Sequence, residues 1–237
     1  NVADVECTAA QAASLHPGRI AVFGYAHVPW FKKHQAVFET QDLPDTAERF
    51  DQACIAAETL KGNFYTEIGF DHYARHTDAL ARAADEGKLR RNFQGYTDDS
   101  TDILLGLGAS SIGTLHGGHV QNAPGLGNYR ELVRQGRLPV VRGVELQNED
   151  VLRGAAIGHI LCNLELDAAA VCRSHSAAEN TLDDALHALR PMQADGLVEI
   201  ADRQIRVLPQ GRRLLRNVAA CFDAYRATAE SRHSPAV

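Results

Sequence analysis

The residues best suited to chemistry crowd into one stretch, Arg90 to Pro124, and into a few short segments that could face it. Phe93 and Gln94 set a flat apolar ring beside an amide that both donates and accepts, a pairing that suits a heterocyclic base. Gly95, Gly106, Gly108, Gly113, Gly117 and Gly118 follow closely, and backbone without a Cβ can come near a ligand. Lys32, Lys33, Arg75, Arg90 and Arg91 add cations to an otherwise acidic chain. Gathered at one rim they suit a small anion with several carboxylates, and Arg75, Arg90 and Arg91 are the candidate substrate ligands.

Other constellations carry less. His72 and His76, and His116 and His119, lack a third ligand at fixed spacing, so hydrogen-bonded or solvated histidines are expected and no metal site is assigned. Asp98, Asp99 and Asp102 lack the glycine and glutamate of a calcium loop and read as turn and cap residues. Ser110 and Ser111 have no nucleophile-elbow glycines, and Gly106 and Gly108 lack the third glycine of a dinucleotide fingerprint. Cys7, Cys54, Cys162, Cys172 and Cys221 contain no CxxC or CxxxC spacing. They read as free thiols in a reducing, cytoplasmic setting.

The elements that must position these residues follow from patterning. At 237 residues and 45% apolar content the chain can bury one large core or two modest ones. A net charge of −6 disfavours nucleic acid as a partner, and no apolar run approaches a membrane span. A monomer is expected. The chain does not begin with Met and opens inside a helical pattern, VECTAAQAASL, which suggests a fragment or a processed product.

Strands are expected at Arg19–Tyr25 and Phe64–Phe70, with Ala26–Pro29 and Asp71–Arg75 as loops at their ends. A third, glycine-flanked strand is expected over Ile103–Leu107. Helices over Asp45–Lys61 and about Thr77–Glu86 alternate with them, which predicts parallel βα units with the ligand at the strand ends. A short helix opens at Asn128, and Arg137–Val144 is extended. Beyond it come helices at Asn148–Leu164 and Asn180–Ala194, a hairpin across Asp202 and Arg203, and a helix from Pro209 to about Ala227, a winged-helix-like order. The predicted division is 1–144, 145–230 and a frayed tail, Ser231–Val237. Arg212, Arg213 and Arg216 could face DNA, but Asp183 and Asp184 stand on the helix where phosphates would approach.

Four segments occur in order: GYAHVPW at Gly24–Trp30, IGFDHYAR at Ile68–Arg75, LRRNFQGYT at Leu89–Thr97 and LLGLGASSIG at Leu104–Gly113. With RGVELQNEDVLRGAAIGHILCNLELD and GRRLLRNVAACFDAY they resemble the oxygen-independent coproporphyrinogen III oxidases, radical S-adenosylmethionine enzymes of haem synthesis. The resemblance implies an α/β fold: the later βα units of a partial barrel, then a helical, winged-helix-like domain. It implies oxidative decarboxylation of coproporphyrinogen III to protoporphyrinogen IX. There a [4Fe–4S] cluster and S-adenosylmethionine generate a 5′-deoxyadenosyl radical that takes hydrogen from a propionate, with an unidentified electron donor. By position, Ala26 and Ile112 would line one cofactor site, and Phe93 and Gln94 a second. The family's CxxxCxxC motif is missing from this chain. The resemblance therefore implies a C-terminal half, inactive without an N-terminal partner half that carries the cluster. The alternative is a non-catalytic tetrapyrrole or nucleoside binding protein.

Overall fold

The computed structural model describes residues 1–226; the tail expected at Ser231–Val237, and Ala227 at the end of the last expected helix, lie outside them. Helix α1 (Val2–Ser14) is capped by Asn1, whose Oδ1 accepts from the Asp4 amide at 3.1 Å. Strand β1 (Arg19–Ala21) follows, and α2 (Thr46–Gly62) packs against α1. The capping box expected at the start of α2 is present. Asp45 Oδ1 accepts from Glu48 N, and Glu48 Oε2 from Asp45 N, both at 2.9 Å. Such a cap contributes about 1 kcal/mol. Leu60 and Ala57 of α2 close a small core with Ala9 and Ala13 of α1 and with Tyr65 and Tyr73.

The next segment departs from expectation. Phe64–Phe70 is not one strand leading to a loop. β2 (Tyr65–Ile68) turns at Gly69, which sits at φ 58°, and returns as β3 (His72–Arg75). β3 also pairs with β1, giving the order β1-β3-β2. Every strand pair among the described residues is antiparallel, so the parallel ladders predicted from helix–strand alternation are absent there. The physical reason is the left-handed turn at Gly69, which inserts a return strand between the two that were expected to neighbour. β1 and β2 still run in the same direction, joined through α2, with β3 between them.

Helix α3 (Ala79–Asp85) is shorter than predicted because Asp78 caps it, its Oδ1 accepting from Leu80 N at 2.7 Å. Strands β4 (Arg90–Asn92) and β5 (Gly95–Thr97) form a hairpin. The apolar run Ile103–Leu107 is not a strand. Only Leu104 bridges, to Thr114, and Leu105 and Leu107 are exposed. The strands lie further on, at β6 (Ile112–Leu115) and β7 (Gly118–Asn122), joined after α4 (Leu126–Arg134) by β8 (Val140–Glu145) in the order β6-β7-β8. α4 starts from Gly125, three residues ahead of the expected cap Asn128.

The remaining elements are α5 (Asn148–Asn163), β9 (Glu165–Asp167), α6 (Ala168–Ser174), α7 (Asp183–Ala188), α8 (Arg190–Ala194), β10 (Val198–Ala201), β11 (Gln204–Val207) and α9 (Leu215–Ala220). Their order, with the sheet β10-β11-β9, is winged-helix-like as expected. The single helix predicted over Asn180–Ala194 is broken. Pro191 lacks an amide hydrogen and crowds the preceding turn, so α8 begins anew around it. β9 escaped prediction; Leu164 at φ 61° turns the chain out of α5 directly into it. Leu152, Ile160, Leu182, Leu189, Leu215 and Phe222 anchor the largest core, each contributing about 1.5–3 kcal/mol by burial. No helix among the described residues is long and apolar enough to cross a membrane.

Candidate functional site

The pairing of Asn92 with Gly95 makes Phe93 and Gln94 the two-residue tip of the β4–β5 hairpin. Asn92 Oδ1 accepts from the Gln94 amide at 2.9 Å and Gly95 takes φ 134°, so the tip is shaped by its neighbours. Both tip side chains are exposed. The Phe93 ring meets His119 edge-on, centroids 4.9 Å apart. His119 stands opposite Thr114, and Ile112 opposite Gln121, in the β6–β7 ladder. Alternation puts Ile112 and His119 on one face of that sheet. The structure therefore brings Phe93, Gln94 and Ile112 to one surface.

Ala26 is supported separately. Gln35 reaches back so that its Nε2 donates to Ala26 O at 3.0 Å, while its Oε1 accepts from Val28 N at 2.6 Å. Phe23, three residues before Ala26, meets the His72 ring edge-on at 5.9 Å. His72 also lies under the hairpin, where a Cβ on Gly95 would stand 2.8 Å from His72 Nε2. His72 thus braces both the Ala26 loop and the hairpin. One residue past Ala26, His27 Nδ1 is buried without a hydrogen-bond partner in the protein.

His72 itself is fixed. Its Nδ1 lies 2.6 Å from Asp71 Oδ1, and Asp71 is 5% exposed. Arg91 reaches both Asp71 oxygens at 3.4 Å and stacks over Phe70 at 4.8 Å and Tyr96 at 4.5 Å. Arg75 lies over Tyr65 at 5.8 Å and approaches His16 Nδ1 at 3.4 Å. Of the three candidate substrate arginines, Arg75 and Arg91 thus already have partners in the fold, and Arg90 is exposed on β4. The sequence placed Asp71 and His72 in a loop at the ligand end of a strand, but it assigned no bracing role to them, to Tyr96 or to His119. The one available signal was Gly95, a glycine wedged between bulky groups.

The histidine pairs do not share a ligand geometry. His72 is committed to Asp71, and His119 Nδ1 lies 3.3 Å from Thr114 Oγ1. The cysteines are free and scattered over α1, α2, α5, α6 and the end of α9. Burial pushes the Cys162 thiol up to about 11, an effect that Arg91 and Arg90 partly offset. At pH 8 it stays protonated, so iodoacetamide should modify the exposed Cys7 first and leave Cys162 until the protein unfolds. Mass mapping showing Cys162 alkylated as fast as Cys7 would contradict this burial.

Of the three arginines that could have faced DNA, Arg212 and Arg213 turn inward and Arg216 stays exposed beside Phe70. Arg212 donates to Gly69 O at 2.9 Å and Glu67 O at 2.6 Å, Arg213 pairs with Glu67 at 2.5 Å, and Arg216 lies 5.8 Å from the Phe70 ring. A hollow of about 410 Å³ between α5 and β9–β11 is lined by His159, Glu165, Asp167, Glu199 and Arg206, and by none of the predicted residues.

No protein-family model matches the chain. Curated relatives do. The oxygen-independent coproporphyrinogen III oxidase of Bradyrhizobium diazoefficiens is 43% identical over 223 residues, covering 94% of this chain and 50% of that protein. The Escherichia coli protein of the same name is 38% identical over 222 residues, 92% of this chain and 48% of the relative. The solved structure of coproporphyrinogen III oxidase from Escherichia coli, described as a radical SAM enzyme, superposes with a TM-score of 0.82 at 35% identity, over 91% of this chain and 50% of that one. The chain spans about half the length of the curated relatives it matches. Sequence and fold agree: along more than nine-tenths of its length this chain is homologous to about half of an oxygen-independent coproporphyrinogen III oxidase.

Proposed function

We propose that this chain is the C-terminal half of an oxygen-independent coproporphyrinogen III oxidase and contributes one wall of a site for S-adenosylmethionine. On this reading residues 1–144 belong to the later part of the barrel and the described residues from 145 to 226 to a helical domain that follows it. The observation that carries this reading is the exposed Phe93–Gln94 tip, held by His119 against the sheet face that bears Ile112. An exposed aromatic ring, an amide and a β-branched aliphatic chain fit an adenine and its ribose: the ring and Ile112 pack on faces, and Gln94 reads a polar edge. By the family resemblance, Ala26 would extend that wall.

When bound, S-adenosylmethionine would supply the hydrogen abstraction from a propionate that the family resemblance implies. The residues of this chain bind and orient it and shield it from water. Arg90, exposed at the hairpin, is the first candidate for a substrate carboxylate; Arg91, next to it on β4, and Arg75, on β3 of the other sheet, have partners already made. The thiols here do not fit a [4Fe–4S] cluster. Cys172 lies wholly inside the largest core and Cys162 is half-buried against the apolar cluster that holds Tyr96, so no step is routed through an iron–sulfur cluster in this chain.

The test uses S-adenosyl-L-homocysteine, an unreactive analogue, in calorimetric titration of the chain. Binding is expected, and Phe93→Ala should weaken it about tenfold, the worth of one base–aromatic stack. Equal affinity in wild type and Phe93→Ala would remove the tip from the site.

A further inference from the structure

The base of the hairpin is tied to the helical part of the molecule through one hydroxyl. Tyr96, on β5 three residues past Phe93, donates from its hydroxyl to Leu161 O at 2.9 Å. Leu161 lies in the last turn of α5, where backbone carbonyls have no partner within the helix. The phenol therefore caps an otherwise orphaned carbonyl. The tie is enclosed: Tyr96 is buried, its ring meets His72 at 5.3 Å and Phe70 at 6.2 Å, and Arg91 lies 4.5 Å from its centroid. Arg90 and Arg91 also bring positive charge toward neighbouring Cys162, the favoured sign at a helix C-terminus. On the opposite side Tyr96 Oη fills the space over Gly69, where a Cβ would come within 1.9 Å. A two-residue tip on short strands cannot fix its own height; the group that locks the hairpin to a rigid helix end does so.

We infer that Tyr96 is a positioning residue: by capping the C-terminus of α5 it sets where Phe93 and Gln94 stand, and so couples nucleoside affinity to the helical domain. The proposal rests on the reading of the tip as a nucleoside wall, and its test separates the two. Tyr96→Phe keeps the ring and removes the hydroxyl. Hydrogen exchange at the Gln94 and Gly95 amides should rise at least fivefold in Tyr96→Phe, with the core of α6 and β11 unchanged. Unchanged exchange at the tip overturns the anchor, whether or not any ligand binds.

For S-adenosyl-L-homocysteine, Tyr96→Phe should weaken binding about five- to tenfold. Made in a Phe93→Ala background, the same change should cost clearly less than in the wild type, because Tyr96 acts in part through that ring and only the share carried by Gln94 remains. A purely structural role predicts the same loss in both backgrounds, and that additivity would overturn the proposal. Val218→Ala, in the helical core and without contact to the hairpin tip, serves as the stability control and should lower the melting temperature without weakening binding of the analogue. If Val218→Ala weakens binding as much as Tyr96→Phe, the coupling through Tyr96 is rejected. Failure of the wild type to bind the analogue would instead count against the nucleoside reading, leaving the exchange experiment to judge the anchor.

Discussion

Replacing Gly69 by alanine should destabilise the protein by about 3–5 kcal/mol, among the largest effects of any single methyl group here. Two costs add. Gly69 sits at φ 58°, where an L side chain costs about 1–2 kcal/mol. The new Cβ would also fall 1.9 Å from Tyr96 Oη and 2.0 Å from Tyr96 Cζ, so the phenol must leave its place. Its departure breaks the bond to Leu161 O and disturbs the stack with Arg91, while Arg212, bonded to Gly69 O at 2.9 Å, resists backbone adjustment. Urea unfolding measures the loss. A second variant, Gly69→Ala with Tyr96→Ala, should recover part of it relative to the sum of the single changes, since the overlap is removed. A Gly69→Ala cost below about 1 kcal/mol would mean the phenol does not occupy that space.

Glu67→Ala should cost about 3–5 kcal/mol for a different reason. Glu67 is 8% exposed at the side chain and faces two guanidinium groups, Arg213 at 2.5 Å and Arg212 at 3.4 Å. Arg213 also bonds the Tyr73 hydroxyl at 3.4 Å, and burial raises that phenol above its usual range. Removing the carboxylate leaves two enclosed cations without their counter-charge at the seam where the strand sheet meets the start of the last helical segment. An exposed pair, Arg173 with Glu179, is the control: at 58% and 55% side-chain exposure, Glu179→Ala should shift stability by no more than about 1 kcal/mol. Denaturation midpoints of the two variants decide the matter. Equal losses would show that Glu67 contributes no more than a surface charge.

Both effects arise from one region, the turn between β2 and β3. That turn was the part of the fold least legible in advance. Phe64–Phe70 alternates well enough to read as one strand, and nothing local in GFD announces that Gly69 will adopt a left-handed conformation and reverse the chain. The reversal is chosen by what lies above it, the Tyr96 phenol and the Arg212 guanidinium, contributed from 27 and 143 residues away in sequence. The same holds for Ile103–Leu107. Its apolar content suggests a buried strand, yet the exposed Leu105 and Leu107 show that pairing went instead to Ile112–Leu115, which meets β7 through a tight turn at His116 and Gly117.

What the amino-acid order determined by itself is local: the capping box at Asp45 and Glu48, the hairpin across Asp202 and Arg203, the helical periodicity of α5, and the mixed α/β class. Each depends on side chains and backbone a few residues apart, so short-range hydrogen bonding and hydrophobic period suffice. The wording of the NFQGYT segment likewise pointed to Phe93 and Gln94 without showing what holds them. Tertiary structure decided that. It set the insertion of β3 between β1 and β2, the committed partners of Arg75 and Arg91, the inward turn of Arg212 and Arg213, and the bracing of the tip by His72, His119 and Tyr96. These are contacts between distant segments whose geometry exists only once the core has closed, and no local pattern in the chain encodes them.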